Sequence, residues 1–397
     1  MIKVAKPTPT VRFQDFSDNW EQHKVGELLI ERNEQAPQSE EYPLMAFVAN
    51  KGIAAKGERY DRSALVKDTK GKLYKKTELD DFIYSSNNLE SGSIGLNKYG
   101  KASISPVYSI FKSSNIADLD FIGRRFIRKD FINNMIRWRQ GVIYGQWRIH
   151  ESDFLKIKVL IPSIDEQRKI GEYFSKLDSL ITFYQRKLEQ QKQLKQYFLQ
   201  NMFPADGEKV PRIRFKGFTG DWELRKFGTL AYRESATRFS SDEYPFLEYE
   251  DIIPEVGRLN KDICQKEDKK KGIIFDENKV LYGKLRPYLH NWLAPEFTGV
   301  AVGDWWVLNP SDTDRNFLYV LIQTKQFDMV ANLSTGSKMP RADWKLVSST
   351  NFFVPPVEEQ KYIGRYFQEL DNLITFHQCK IDQLQTMKKY MLQNMFI

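Results

Sequence analysis

The chain has 397 residues, 41% of them hydrophobic and 14% aromatic, which is enough apolar material for two ordinary domains with cores of their own and argues against a disordered polymer. No stretch nears the roughly 18 apolar residues of a membrane span, and the opening MIKVAKPTPT lacks the apolar core of a secretory signal, so the expectation is a cytoplasmic protein with no membrane contact. A net charge of +8 permits nucleic-acid binding without establishing it, and Cys264, Cys379 and the four histidines show no metal-ligand spacing.

The first element met is VRFQDFSDNWEQHKVGEL, Val11 to Leu28. It returns as IRFKGFTGDWELRKFGTL, Ile213 to Leu230, so that Trp20 answers Trp222. The stretch from Pro162 to Phe203 likewise returns from Pro355 to Phe396 with more than half its positions identical. Two duplications in the same order mark two half-molecules of one plan, each with a repeated lead-in, a divergent middle and a repeated tail. The charge is uneven between the middles: residues 1–162 carry 26 Lys/Arg against 20 Asp/Glu, and residues 204–356 carry 22 against 22.

Both middles read as short β-rich runs with one helix near the end, an α+β mixture. Leu44 to Val48 follows Tyr42-Pro43 as Phe246 to Tyr249 follows Tyr244-Pro245. Asp81 to Tyr84 aligns with Lys279 to Tyr282, and Pro106 to Tyr108 with Asp304 to Trp306. In the first middle, Phe121 to Gln140 holds six basic residues, among them Arg124, Arg125 and Arg128, against the single acid Asp130. That pattern suits either a phosphate-tracking helix or a solvated helical face. The second half replaces it with the nearly uncharged FLYVLIQTKQFDMVANLSTG.

Arg148 and Arg341 each lie 14 residues before the proline that opens their tail. Arginine reaches guanine O6/N7 bidentately, and amides such as those of Asn87 or Asn88 suit adenine, so these four are candidate base readers, with a structural salt bridge the competing role for either arginine. Lys269, Lys284, Arg286 and Lys338 are further candidate DNA contacts.

Catalytic signals are mostly negative. Gly95 to Lys101 opens like a phosphate loop, but Ala102 stands where a Mg²⁺-binding hydroxyl is required. Glu277-Asn278-Lys279 has the form of a nuclease acid-x-Lys triplet with no Pro-Asp nearby upstream. No His-Glu-x-x-His, Gly-rich dinucleotide loop or Asn-Pro-Pro-aromatic tetrapeptide occurs.

The tails read as helices. Ser163 and Glu166 have the spacing of a capping box, Pro162 and Pro355 precede each start, and Pro204 and Gly207 end the first. Ile170, Phe174, Leu177, Ile181 and Leu188, matched by Ile363, Phe367, Leu370, Ile374 and Ile381, repeat four and three residues apart, which predicts a helix-pairing seam on each. From Ile170 to Met202 a straight helix reaches about 50 Å. The simplest closure packs the two helices antiparallel on each other, and the alternative packs each only on its own domain.

These features together carry a likeness. Lead-in Arg-Phe-x-x-Phe-x-x-x-Trp (Arg12, Phe13, Phe16, Trp20; Arg214, Phe215, Phe218, Trp222), a variable domain, then a Pro-x-x-x-Glu-Gln helix (Pro162, Glu166, Gln167; Pro355, Glu359, Gln360), run twice, resembles the specificity subunit of type I restriction-modification systems. The resemblance implies an α+β fold with two target-recognition domains separated by two long antiparallel coiled-coil helices in a pseudo-twofold repeat: residues 1–162, spacer helix 163–205, residues 206–356, spacer helix 357–397. It further implies a non-catalytic subunit that binds double-stranded DNA, each domain reading half of a bipartite site. The partners implied are two methyltransferase subunits and the motor-nuclease subunits; S-adenosylmethionine, ATP and Mg²⁺ belong to them and no cofactor to this chain. The competing expectation is a self-contained DNA-cleaving enzyme using Glu277/Lys279 or the Gly95 loop.

Overall fold

A computed structural model describes residues 8–55, 72–143, 146–205, 207–266, 268–333 and 339–397. The chain divides into two compact units, the first formed by residues 1–182 with 382–397 and the second by residues 183–381.

In the first unit the elements that matter are β1 (Glu21–Lys24), β2 (Leu29–Glu31), β3 (Phe82–Tyr84), β4 (Ile94–Leu96), β5 (Ser109–Ser113), α1 (Leu119–Phe126), α2 (Lys129–Ile136), β6 (Lys158–Ile161) and the start of α3 (Ile164–Asn201). Four strands form an antiparallel sheet in the order β2-β5-β3-β4. Its buried aromatics Phe82, Tyr84 and Phe111 meet Phe121, Phe154 and Phe174 in one core. Separately, β1 pairs with β6, Glu21 opposite Ile161. The lead-in is therefore joined to the strand just before the tail, which explains why the two repeat together.

The second unit runs β7 (Glu223–Lys226), β8 (Ala231–Arg233), β9 (Val280–Gly283), β10 (Trp292–Leu293), β11 (Trp305–Pro310), α4 (Arg315–Leu321), α5 (Lys325–Ala331), α6 (Trp344–Ser349), β12 (Asn351–Val354) and the start of α7 (Val357–Asn394). Its sheet order β8-β11-β9-β10 is that of the first unit, and β7 pairs with β12 as β1 does with β6. Opposite Tyr84 stands Ser109, and opposite Tyr282 stands Trp306. This register corrects the sequence alignment by one residue, since Tyr108 corresponds to Trp305 rather than Trp306. A single-residue slip exchanges the two faces of a strand, so the correction decides which buried cluster each side chain joins: Trp306 lies with Trp222 and Tyr282, Trp305 with Leu281 and Val307.

The repeated motif residues form the joints. Arg12 clamps Glu166 through Nε and Nη2, each at 2.7 Å, and Arg214 clamps Glu359 at 2.6 and 2.7 Å. Ser163 Oγ does accept the Glu166 N–H, at 3.5 Å, but the Glu166 carboxylate goes to Arg12, so the capping box is half formed. Beside the clamp, the Gln167 amide accepts from Asp118 N and donates to Pro162 O, and Gln360 accepts from Asp314 N and donates to Pro355 O. Asp118 and Asp314 in turn cap α1 and α4 by accepting from Phe121 N and Phe317 N. A Cβ on Gly364 would lie 2.8 Å from Asp314 Oδ1 and 2.7 Å from Phe317 N, which is why glycine stands there.

Both long helices contribute to each unit. In the first, Phe396 packs on Phe121 and Phe174 at 5.3 and 5.9 Å between ring centres, and the Val11 N–H donates to Asn394 O. In the second, Phe203 packs on Trp222 and Phe317, and the Ile213 N–H donates to Asn201 O. Ile170, Phe174 and Leu177 share a core with Met395, and Ile363, Phe367 and Leu370 share one with Met202. Within the second unit Leu188, Ile374 and Ile381 pack together, while Ile181 is buried in the first. Within each unit the segments of the two helices pack on each other as well as on the unit's core, so the seam pairs the helices and the alternative of packing only on the domain does not hold. Contacts Tyr184–His377 and Phe198–Tyr366 in the second unit make the segments antiparallel. Charge reinforces the register: Lys195 Nζ lies 2.7 Å from Asp371, and the repeat-equivalent Lys388 lies 2.5 Å from Asp178. A polar pair within an apolar seam selects register and direction.

Candidate nucleic-acid interface

The two sheets carry clefts at the same place. In the first unit a cleft of about 1060 Å³ opens over Glu31, Asn33, Gln35, Ser86, Ser109 and Glu151. In the second a cleft of about 850 Å³ opens over Arg233, Ser235, Thr237, Lys284, Trp306 and Trp344. Strand registers match two of these pairs directly, Glu31 and Arg233 facing Phe111 and Leu308 while Ser109 and Trp306 face Tyr84 and Tyr282, and the other four sit at equal offsets from the repeated segments or from Tyr84 and Tyr282. The frame is common and the lining is different at every one of the six positions.

The first cleft is lined by amides and hydroxyls around one charged cluster. Ser109 donates to Glu151 Oε1 at 2.8 Å, buried Lys75 lies 3.9 Å away, and Arg148 is 3.7 Å from Oε2 with its side chain 65% exposed. Burial pushes the Glu151 pKa up, but hydrogen bonds from its own backbone N–H and Ser109, with Lys75 and Arg148, outweigh it and leave the carboxyl below its ordinary value. Trp147 stands exposed beside Arg148. Below them Arg139 grips Glu90 bidentately and donates to Ser86 O, and Ser86 Oγ accepts from Ile149 N, fixing the cleft floor.

The second cleft is aromatic and cationic. Arg233 lies 4.8 Å from the centre of the Trp344 ring, which meets Trp306 edge-on at 5.2 Å. Trp306 is buried in the core beneath, and the half-buried Trp344 face suits cation–π contact. Lys284 Nζ is 3.4 Å from Asp304 Oδ1, and Arg341 donates to Asp304 Oδ2 at 3.0 and 3.2 Å.

Of the residues singled out by sequence, Asn87, Arg148 and Lys284 line the clefts, and Arg341 joins Lys284 through Asp304. Asn88 sits next to Asn87 on an exposed turn. Arg286 is exposed at the strained φ of 49°, its N–H bonded to Pro340 O, which brings it beside Arg341. Lys269 is exposed but leads into Lys271–Phe275, a strand of a different sheet. Lys338 lies outside the described residues.

Arg124, Arg125 and Arg128 form neither a phosphate-tracking nor a solvated face. Arg124 pairs with Asp178 and Ser175 of α3 over the Phe174 ring, Arg125 with Asp130, and Arg128 with Asp130 and the Leu392 carbonyl. Arg124 and Arg128 turn inward because the repeated tails bring Asp178, Ser175 and the Leu392 carbonyl to them, and Arg125 because Asp130 does, while Lys129 stays exposed. The sequence reading missed Asn33, Gln35, Arg233, Asp304, Trp306 and Trp344. Continuing the lead-in alignment a few residues past Leu28 and Leu230 would have reached the first three.

Among the described residues no group of three or more His, Cys, Asp or Glu could hold a metal ion, and no helix is long and apolar enough to cross a membrane. The Gly95 segment is strand β4 followed by a turn in which the Asn97 side chain binds Tyr99 N, Gly100 N and Gly100 O, and the next element is the strand Ala102–Ile104 instead of a helix. Lys279 lies 3.6 Å from Asp276 and 3.7 Å from Glu234.

Two α+β units of one sheet topology, each with a differently lined cleft, define a duplicated module. Residues 220–386 match the family model described as the type I restriction modification DNA specificity domain. Over 333 residues the chain is 22% identical to the type I restriction enzyme MjaVIII specificity subunit of Methanocaldococcus jannaschii, covering 78% of this chain and 76% of that one. It is 25% identical over 257 residues to the EcoDI specificity subunit of Escherichia coli, covering 56% of each. The fold matches the crystal structure of the S subunit of a type I restriction-modification system from M. genitalium, with a TM-score of 0.65 at 13% identity over 98% of this chain and 99% of that one. The chain is thus similar in sequence to type I restriction-modification specificity subunits, and residues 220–386 match the model of their DNA specificity domain.

Proposed function

We propose that the chain is the specificity subunit of a type I restriction-modification complex and that each cleft reads one half of a bipartite, asymmetric DNA site. The observation that carries this reading is the pair of clefts on one frame with wholly different linings: the frame sets how DNA is approached, and the lining sets which bases are accepted. The chain does no chemistry alone. Methyltransferase subunits supply S-adenosylmethionine, motor-nuclease subunits use ATP and Mg²⁺, and the long helices set the unread gap between half-sites. The test is methylation mapping in cells that carry the chain with its partner subunits. R148A should relax or abolish recognition of one half-site and R341A that of the other, each weakening binding about 10–100-fold. Loss of the same half-site in both variants, or of neither, overturns the assignment.

Docking of two copies of one methyltransferase is supported by apolar side chains left exposed at equal positions of both helices. Leu180, Phe183, Leu194 and Tyr197 on α3 answer Leu373, Phe376, Met387 and Tyr390 on α7, all exposed. Exposed apolar residues at repeated positions suit a repeated partner. F183S should leave one methyltransferase subunit per chain and F183S/F376S none, read by light scattering of the reconstituted complex. Two subunits retained on the double variant would place docking elsewhere.

A further inference from the structure

We infer that Asp304 is a specificity-determining residue of the second unit, its carboxylate holding the cleft cation Lys284 and the neighbouring Arg341 against DNA of the wrong sequence. The inference rests on the reading of this cleft as a DNA interface. Both cations converge on the one carboxylate: Arg341 Nε and Nη2 reach Oδ2, and Lys284 Nζ approaches Oδ1.

The arrangement is a fixed one. Gly303 adopts φ +99°, a conformation that side chains rarely tolerate, and so turns the chain into Asp304. The Asp304 carbonyl then accepts from the Tyr249 hydroxyl at 2.6 Å and from Lys284 N at 2.9 Å. Tyr249 Oη accepts from Leu285 N at 2.9 Å, and Ala342 N donates to Lys284 O at 2.8 Å. Three separate segments, which carry the carboxylate and the two cations, are thereby tied together, the first two through the half-buried Tyr249 and the third through Lys284 O. An exposed ion pair between freely placed side chains would contribute little; here the hydrogen bonds hold the backbones that carry the three groups, and the Asp304 side chain is only 26% exposed. Burial raises the Asp304 pKa, but Arg341 and Lys284 together hold it below its ordinary value, so the carboxylate is ionised at neutral pH.

Attraction between cations and phosphates acts on every sequence alike. A carboxylate held between the cleft cation Lys284 and Arg341 beside it lowers that attraction for all duplexes. A half-site that offers Arg341 two well-placed acceptors, as guanine does, regains the loss through directed hydrogen bonds. A wrong half-site does not. Asp304 therefore supplies the repulsive part of discrimination.

The test uses the full chain reconstituted with its methyltransferase subunits, a duplex bearing the mapped site, and the same duplex with the second unit's half-site scrambled. D304N keeps the shape and an acceptor for Arg341 but removes the charge; D304S is the second variant should the first not fold. Binding to the scrambled duplex should tighten about tenfold, with the slope of log affinity against log salt steeper by about one, while the mapped site changes by less than about threefold. R341A and K284A provide the control for the cleft itself. Weaker binding of the mapped site in R341A, together with scrambled-duplex affinity in D304N that is unchanged or lower, overturns the inference and leaves the cleft assignment standing. Unchanged affinities for both duplexes in R341A and K284A overturn the cleft assignment instead.

Discussion

Arg214→Ala should destabilise the second unit by about 3–5 kcal/mol, the cost of leaving one member of a buried ion pair without its partner. The Glu359 side chain is fully buried and that of Arg214 is 14% exposed, so truncation strands a carboxylate beneath the lead-in. Arg214 also donates to Gly220 O at 2.7 Å, and its pKa is raised chiefly by the hydrogen bond to Glu359. Because the clamp joins the lead-in to the first turn of α7, the loss should appear as local opening of residues 213–226 in hydrogen exchange as well as a lower urea midpoint. The pair replacement R214M/E359L should recover much of the stability, since it leaves no charge unpaired. The Arg12–Glu166 clamp predicts the same behaviour for R12A in the first unit, where Glu166 is equally buried. Full stability in R214A would show that the clamp is incidental to the joint.

Replacing residues 206–354 by the corresponding segment of another specificity subunit should exchange one half of the methylated motif and leave the other half unaltered. The lining of the second cleft comes entirely from this segment, while that of the first comes from residues 31–151. Wrong base pairs cost about 1–3 kcal/mol each, so the native second half-site should be lost from the methylation map rather than weakened. The graft should fold because its joints repeat: Trp222 fills the second core as Trp20 fills the first, and Glu359 with Gln360 stays in place to receive them. A motif altered in both halves would mean that the two clefts do not read independently.

Much of this architecture was legible in the row of residues. Duplication exposed two copies of one plan, and the seam at Ile170, Phe174 and Leu177 announced a helix whose face is buried. These signals are local or repetitive, so they survive without knowledge of what lies opposite. The Arg-Phe lead-in and the Glu-Gln tail were visible as motifs, but their pairing through Arg12–Glu166 joins positions 154 residues apart, and no periodicity reports that.

The clefts were far less legible. Arg124 and Arg148 look equally available as cations in sequence. Packing sends Arg124 to Asp178 and Phe174 and leaves Arg148 at the rim beside Glu151. Spacing and repetition were enough to establish two half-molecules, two long helices and their lead-ins, because hydrophobic period and internal identity are properties of neighbouring residues. Which side chains meet in each cleft, and which carboxylate each cation chooses, depended on strand register and on loops brought together from far along the chain, where a shift of one residue turns a side chain from the core to the surface.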